Sequence, residues 1–139
     1  MKRKILIVED NVGLSQIQKD WLSQAGYEAV TAMNEPIARS LIRKTQFDLI
    51  LSDVRLPEGD GISLLEWLRK EKKDIPFIIT TEFVSVPDVV RTIKLGARDY
   101  LPKPVYRDHL LELAEDVFHP VATVRKQERL LFHRTSLQQ

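Results

Sequence analysis

The sequence contains no cysteine. That absence excludes disulfide bridges, thiolate nucleophiles and cysteine-based zinc sites, and it suits a reducing compartment. An excess of charge of one sign is also missing: 21 Lys and Arg stand against 20 Asp and Glu, for a formal net charge of +1. There is therefore no bulk electrostatic case for direct nucleic-acid binding or for an acidic membrane surface. Long apolar runs are absent too, and nothing approaches the ~20 apolar residues a membrane span needs. The opening MKRKILIVED imitates a secretory signal, but its apolar part, Ile5 to Val8, is short and Glu9–Asp10 closes it. These absences together predict a cytoplasmic protein with no membrane partner.

What is present reads as one globular domain. The chain has 139 residues, of which 43% are hydrophobic and 29% charged, enough to bury a real core without staples. Three short, nearly continuous apolar runs, KILIV (4–8), FDLIL (47–51) and FII (77–79), read as strands covered on both faces. YEAVT (27–31) alternates, as an edge strand does, and DYL (99–101) is a weaker fifth candidate. Helical spacing fills the gaps. Leu14, Ile17, Trp21, Leu22 and Ala25 form a first stripe that Gly26 ends. Pro36 opens a second helix whose buried stripe is Ile37, Leu41 and Ile42. Ile62, Leu64, Leu65 and Leu68 mark a third, and Val86, Val90 and Ile93 a fourth that Pro87 begins and Gly96 ends. Leu110, Leu111, Leu113, Ala114, Val117 and Phe118 supply a fifth. Strict β–α alternation with right-handed crossovers predicts an α/β three-layer sandwich of flavodoxin-like type. Its five-stranded parallel sheet runs in the order 2-1-3-4-5, with five helices on its two faces. Pro120 breaks the last helix, and residues 121–139 read as a charged helical extension or a solvated tail. Val121, Val124 and Leu131 form a heptad-like seam there, interrupted by Glu128.

Chemistry gathers at the carboxyl ends of the strands, where such folds bind ligands. The first ends in Glu9–Asp10, the third in Asp53, the fourth in Thr81, and the fifth runs into Lys103. The first and third strands are neighbours about 4.8 Å apart, so Asp10 and Asp53 face one another. Two carboxylates about 5 Å apart repel by roughly 3 kcal/mol at an effective dielectric near 20. A divalent cation relieves that repulsion, and acids without His or Cys select a hard ion such as Mg2+. Lys103 lies some ~10 Å across the sheet from Asp53, within a lysine's span. A metal, a cation and a hydroxyl around one carboxylate suit an incoming phosphoryl group. Each residue alone has an ordinary reading: Asp10 or Asn11 as a helix cap, Thr81 as a strand-end hydroxyl, Asp53 as a turn residue, Lys103 as a solvated loop lysine. Their joint placement at one sheet edge favours the functional reading.

From about Lys4 to Phe118 the chain resembles the receiver domain of bacterial two-component response regulators, the CheY-like fold. ILIVEDN, DLILSDVRLPEGDG, FIITTEF and GARDYLPKP carry the likeness, in order. The resemblance implies a receiver over residues 1–119 and a helical linker or tail over 120–139 leading to a further output domain. It implies that Asp53 accepts a phosphoryl group from a sensor histidine kinase, standing exposed at its strand end so that it can be reached. Glu9 and Asp10 become the metal-binding pair, with Asp53 and the backbone carbonyl of Arg55 as further ligands of Mg2+. Thr81 becomes the switch hydroxyl, Lys103 the cation that contacts the phosphoryl group, and Tyr100 the switch aromatic, against an ordinary reading as a strand aromatic. Pro57 and Gly61 match the loop after the acceptor, and Lys103–Pro104 becomes a cis peptide. The output face comprises the fourth helix, fifth strand and fifth helix, through which, or through the C-terminal helix, a homodimer could form. On this reading the domain is a phosphoacceptor and not an enzyme with an external substrate.

LILSDVRLPEGDGISLLEWLR and GARDYLPKP are similar to receivers of the NtrC-like, sigma-54-dependent activator class, whose later domains are an AAA+ ATPase and a DNA-binding module. RTSLQQ resembles the start of such an ATPase domain, which would make this chain a piece of a longer regulator. No P-loop signature occurs here, so ATPase activity belongs to none of these residues. One departure stands out: the position after the switch threonine is usually small in receivers, and here it is Glu82. Glu82 could gate the site, paired with Arg55 on the opposite lip. The alternatives are a phosphorylation-independent pseudo-receiver used for docking and a Mg2+-dependent phosphohydrolase of the haloacid dehalogenase type. The latter wants an acid two residues after its nucleophile, where this chain has Arg55. An FMN carrier lacks its phosphate loop after the first strand.

Overall fold

Residues 2–119 are described by the computed structural model. They alternate without exception: β1 (Lys4–Val8), α1 (Val12–Gln24), β2 (Glu28–Ala32), α2 (Glu35–Lys44), β3 (Leu49–Asp53), α3 (Gly61–Lys70), β4 (Phe77–Thr81), α4 (Val86–Lys94), β5 (Asp99–Pro102) and α5 (Arg107–Phe118). All pairings between these strands are parallel, and the strand order is β2-β1-β3-β4-β5. The expected fold class is therefore the observed one. The extension anticipated over 120–139, with its seam of Val121, Val124 and Leu131, lies outside the described residues.

The strands read as apolar runs because both sheet faces are covered. Successive side chains point to opposite faces, so each strand feeds two cores. Ile5, Ile7, Leu49, Leu51 and Ile78 pack with Leu22 of α1 and Leu110, Leu113, Ala114 and Val117 of α5. Leu6, Val8, Ile50, Phe77 and Ile79 pack with Ala38 and Ile42 of α2 and Ile62, Leu64, Leu65 and Leu68 of α3. Each fully buried Leu, Ile or Phe contributes about 1.5–3 kcal/mol, so these layers anchor the sheet rigidly beneath its carboxyl edge.

Several finer expectations differ from the structure. β3 starts at Leu49, not Phe47, and both β3 and β4 run two residues beyond their apolar cores, to Asp53 and Thr81. The two chemical residues are thus strand residues, held by the ladder. In α1 the buried positions are Ser15, Gln18 and Leu22, whereas Ile17 is 48% exposed. The helix is turned by about one residue, which lets the small Ser15 face the sheet with its hydroxyl donating to the Val12 carbonyl. In α2 Ala38 takes the core position and Ile37 is exposed. In α4 Thr92 is the one buried residue, and Val86, Val90 and Ile93 face outward beside Phe83 and Val84.

Candidate functional site

The β1–β3 register sets Val8 opposite Ser52, so Glu9 and Asp53 emerge side by side at the sheet's carboxyl edge. Glu9 extends β1 by one bond, its amide donating to the Ala32 carbonyl at 2.9 Å. That fixes its side chain inward, where it is 3% exposed; Asp10, next along, faces solvent. One oxygen each of Glu9, Asp10 and Asp53 lie within 4.8 Å of one another. Asp53 itself is only 8% exposed, so the expectation of a carboxylate standing free is corrected. It is drawn in by partners on both oxygens.

Lys103 is the first of these. Its backbone amide donates to the Thr81 carbonyl at 2.7 Å, continuing the β4–β5 pairing, and the Lys103–Pro104 peptide is cis as expected. From there Nζ donates to Asp53 Oδ2 at 2.8 Å and to Glu9 Oε1 at 2.6 Å. The second partner is the Arg55 amide, which donates to Asp53 Oδ1 at 3.3 Å. Burial pushes the Glu9 carboxyl above the usual range, against the hydrogen bonds from Lys103 and the Asn11 amide. Burial also works against the Lys103 ammonium, but its bonds to Asp53 and Glu9 outweigh that and hold it above the ordinary lysine range.

Gly61 secures the loop behind Asp53. A Cβ there would collide with the Asp53 backbone carbonyl, so only glycine lets α3 begin so close to β3. Its amide donates to the Val54 carbonyl at 2.8 Å. Pro57 is exposed on the same loop.

No hydrogen bond joins the Thr81 or Tyr100 hydroxyl to Asp53. Thr81 is 2% exposed, and its hydroxyl donates to the Phe83 carbonyl at 3.0 Å while accepting the Phe83 amide at 3.2 Å. Tyr100 packs partly buried against the core on the α2–α3 side, with its hydroxyl buried and unpartnered. Asp10, Asp53, Arg55, Glu82 and Phe83 line a cleft of about 210 Å³ that leads to the Asp53 carboxylate. The anticipated pairing of Arg55 with Glu82 is not formed. The Arg55 guanidinium instead lies 4.9 Å from the centroid of the Phe83 ring, so Glu82 is exposed at the mouth without that counter-charge. Phe83 escaped the sequence reading, although an aromatic two residues beyond a strand-end hydroxyl was the available signal.

Three clustered carboxylates, one of them open to solvent and none accompanied by His or Cys, fit a small hard cation that keeps part of its water shell. A cation bound there would have Lys103 as its neighbour.

Residues 5–115 match the family described as the response regulator receiver domain. The chain belongs to that family. Among curated relatives, this receiver is 40% identical over 114 residues to the transcriptional regulatory protein ZraR of Salmonella typhimurium, covering 82% of this chain and 26% of that protein. It is 32% identical over 112 residues to the response regulator protein PilR of Pseudomonas aeruginosa, covering 81% and 25%. It thus spans about a quarter of the length of these relatives. Among solved structures, a CheY-like receiver from Methanospirillum hungatei superposes with a TM-score of 0.80 at 31% identity, covering 84% of this chain and 94% of that one. The non-phosphorylated HemR receiver domain from Leptospira biflexa gives 0.79 at 36% identity, covering 85% and 95%. No described helix is long and apolar enough to cross a membrane.

Proposed function

We propose that this receiver is a phosphorylation switch of a two-component system that accepts a phosphoryl group on Asp53 from a histidine kinase in the cytoplasm. The observation that carries this reading is Lys103 Nζ, which touches both Asp53 and Glu9 inside a three-carboxylate cluster. Glu9, Asp10, Asp53 and the Arg55 carbonyl would hold Mg2+, which when bound screens phosphoryl oxygens against the surrounding carboxylates. An Asp53 carboxylate oxygen attacks phosphorus, the P–N bond to the donor histidine breaks, and its electron pair returns to the imidazole. Lys103 then donates to a phosphoryl oxygen in place of one carboxylate bond.

The new oxygens compete for the Thr81 hydroxyl, now bonded to Phe83. Drawing Thr81 away frees the turn that precedes α4, and Tyr100, whose hydroxyl lacks a partner, can repack behind it. A population shift of α4, β5 and α5 follows, at a face carrying the exposed Val86, Val90, Ile93 and Tyr106. That face would engage an output domain of a longer chain or a second receiver. Likeness to NtrC-like, sigma-54-dependent activators and the name of ZraR support transcription control through an AAA+ ATPase and a DNA-binding domain. Glu82, with Arg55 held on Phe83, would govern access of small donors.

The test is incubation with Mg2+ and a phosphorylated kinase or small phosphodonor, followed by intact mass. One phosphoryl group is expected on the wild type, none on Asp53→Asn, and none after chelation. No adduct on the wild type would refute the assignment and favour a docking module that works unphosphorylated; an equal adduct on Asp53→Asn would place the phosphoryl group on another residue and refute Asp53 as the acceptor.

A further inference from the structure

Glu35 takes no part in the site above, yet this acid is only 5% exposed. It opens α2, between the cap Asn34 and Pro36. A carboxylate is buried only when paired and hydrogen-bonded, and the partners here are specific. Glu35 forms an ion pair with Arg39 one turn on. Its Oε1 accepts the Asp60 amide at 3.0 Å, and its own amide donates to the Glu58 carbonyl at 3.2 Å. Two of these three contacts leave α2 for the loop between β3 and α3. Gly59 sits between the two tethered residues with φ at +80°, and a Cβ there would press into the Glu35 side chain. The tip of the loop is seated on this carboxylate.

The other end of the loop is the site itself. Arg55 and Asp60 form an antiparallel bridge across the loop. The Arg55 amide then reaches Asp53 Oδ1. A continuous path therefore runs from the Glu35 carboxylate through the Asp60 amide and the Asp60–Arg55 bridge to the acceptor.

We propose that Glu35 is a positioning residue for the divalent cation: by seating the loop tip, it keeps the Arg55 carbonyl turned toward Glu9, Asp10 and Asp53. This rests on reading the acidic cluster as a Mg2+ site. What the role requires is an acceptor for the Asp60 amide, not a charge. Glutamine can supply that acceptor and alanine cannot.

Calorimetric Mg2+ titration of Glu35→Ala, Glu35→Gln and Arg39→Ala separates the two. Outer-shell losses weaken metal affinity by about tenfold or more, and Glu35→Ala is expected to do so, with Glu35→Gln and Arg39→Ala within about twofold of wild type. Metal-free hydrogen exchange should show the Asp60 amide deprotected in Glu35→Ala but not in Glu35→Gln or Arg39→Ala. Gly59→Ala, which pushes the loop off the carboxylate from the other side, should weaken Mg2+ similarly and stands in if Glu35→Ala does not fold. Unchanged affinity in Glu35→Ala or Gly59→Ala overturns the inference, as does Arg39→Ala matching Glu35→Ala, which would trace the effect to α2 stability. A wild type that binds no Mg2+ sinks the metal reading and this inference together.

Discussion

Lys103 Nζ lies 2.8 Å from Asp53 Oδ2, a single ammonium on that carboxylate that also grips Glu9. It is the main counter-charge for two buried acids. Lys103→Met leaves them facing each other unpaired, a loss of about 3 kcal/mol, at the low end for buried pairs because the cleft admits water. Mg2+ should then recover more stability in the variant than in the wild type. Urea unfolding with and without Mg2+ reads both terms. An equal Mg2+ gain in the two proteins would refute the proposed sharing of charge.

Gly61 is tested by adding one carbon. Its missing side chain is where the Asp53 carbonyl and the Ser52 hydroxyl already stand, and backbone cannot swing aside as a flexible side chain does. Gly61→Ala is expected to cost about 3 kcal/mol, the upper end for overpacking, and to lower Mg2+ affinity by moving the loop. A urea midpoint within error of wild type would contradict the close approach.

Thr81 binds the Phe83 backbone twice in this state. Thr81→Ala should cost about 1 kcal/mol and expose the Phe83 amide to exchange. It should still accept one phosphoryl group while losing the phosphorylation-dependent change at Tyr100, read from the tyrosine ring signals by NMR. A Tyr100 response like that of the wild type would rule out Thr81 as the link.

Glu82 presents a negative charge at the mouth of the cleft, with its neighbour Arg55 engaged by Phe83. Glu82→Ala should speed phosphoryl uptake from a small anionic donor by roughly three- to tenfold at low salt, with the gain shrinking as salt screens the mouth. If uptake and loss rates both stay the same, Glu82 is simply solvated.

The fold was legible because burial on both sheet faces writes itself as unbroken apolar runs, as at Ile5–Val8, Leu49–Leu51 and Phe77–Ile79. Strand order placed Asp10, Asp53 and Lys103 at one sheet edge, but it faced Asp10 toward Asp53, whereas Glu9 is the inward neighbour and Asp10 looks to solvent. Helix faces were harder to read. Ser15 and Gln18 are buried in α1 while Ile17 looks outward, the reverse of what apolar spacing alone predicts. Arg55 and Glu82 invited an ion pair by charge alone, but an aromatic face one residue further on was the nearer partner. Glu35 gave no signal, since an acid before proline at a helix start ordinarily faces water and its burial depends on a loop more than twenty residues away.

The two ends of α4 are held very differently. At its C-terminal end Arg69 reaches over from α3, Nε donating to the Leu95 carbonyl at 2.8 Å and Nη2 to the Gly96 carbonyl at 3.2 Å, while Nη1 ties down Lys73 and Ile75. Ser85, at the opposite end, makes no side-chain cap, and the Arg91–Glu66 pair midway is exposed. Were Thr81 drawn toward a phosphorylated Asp53, α4 would pivot about Leu95–Gly96, and the widest arc would fall at Val86.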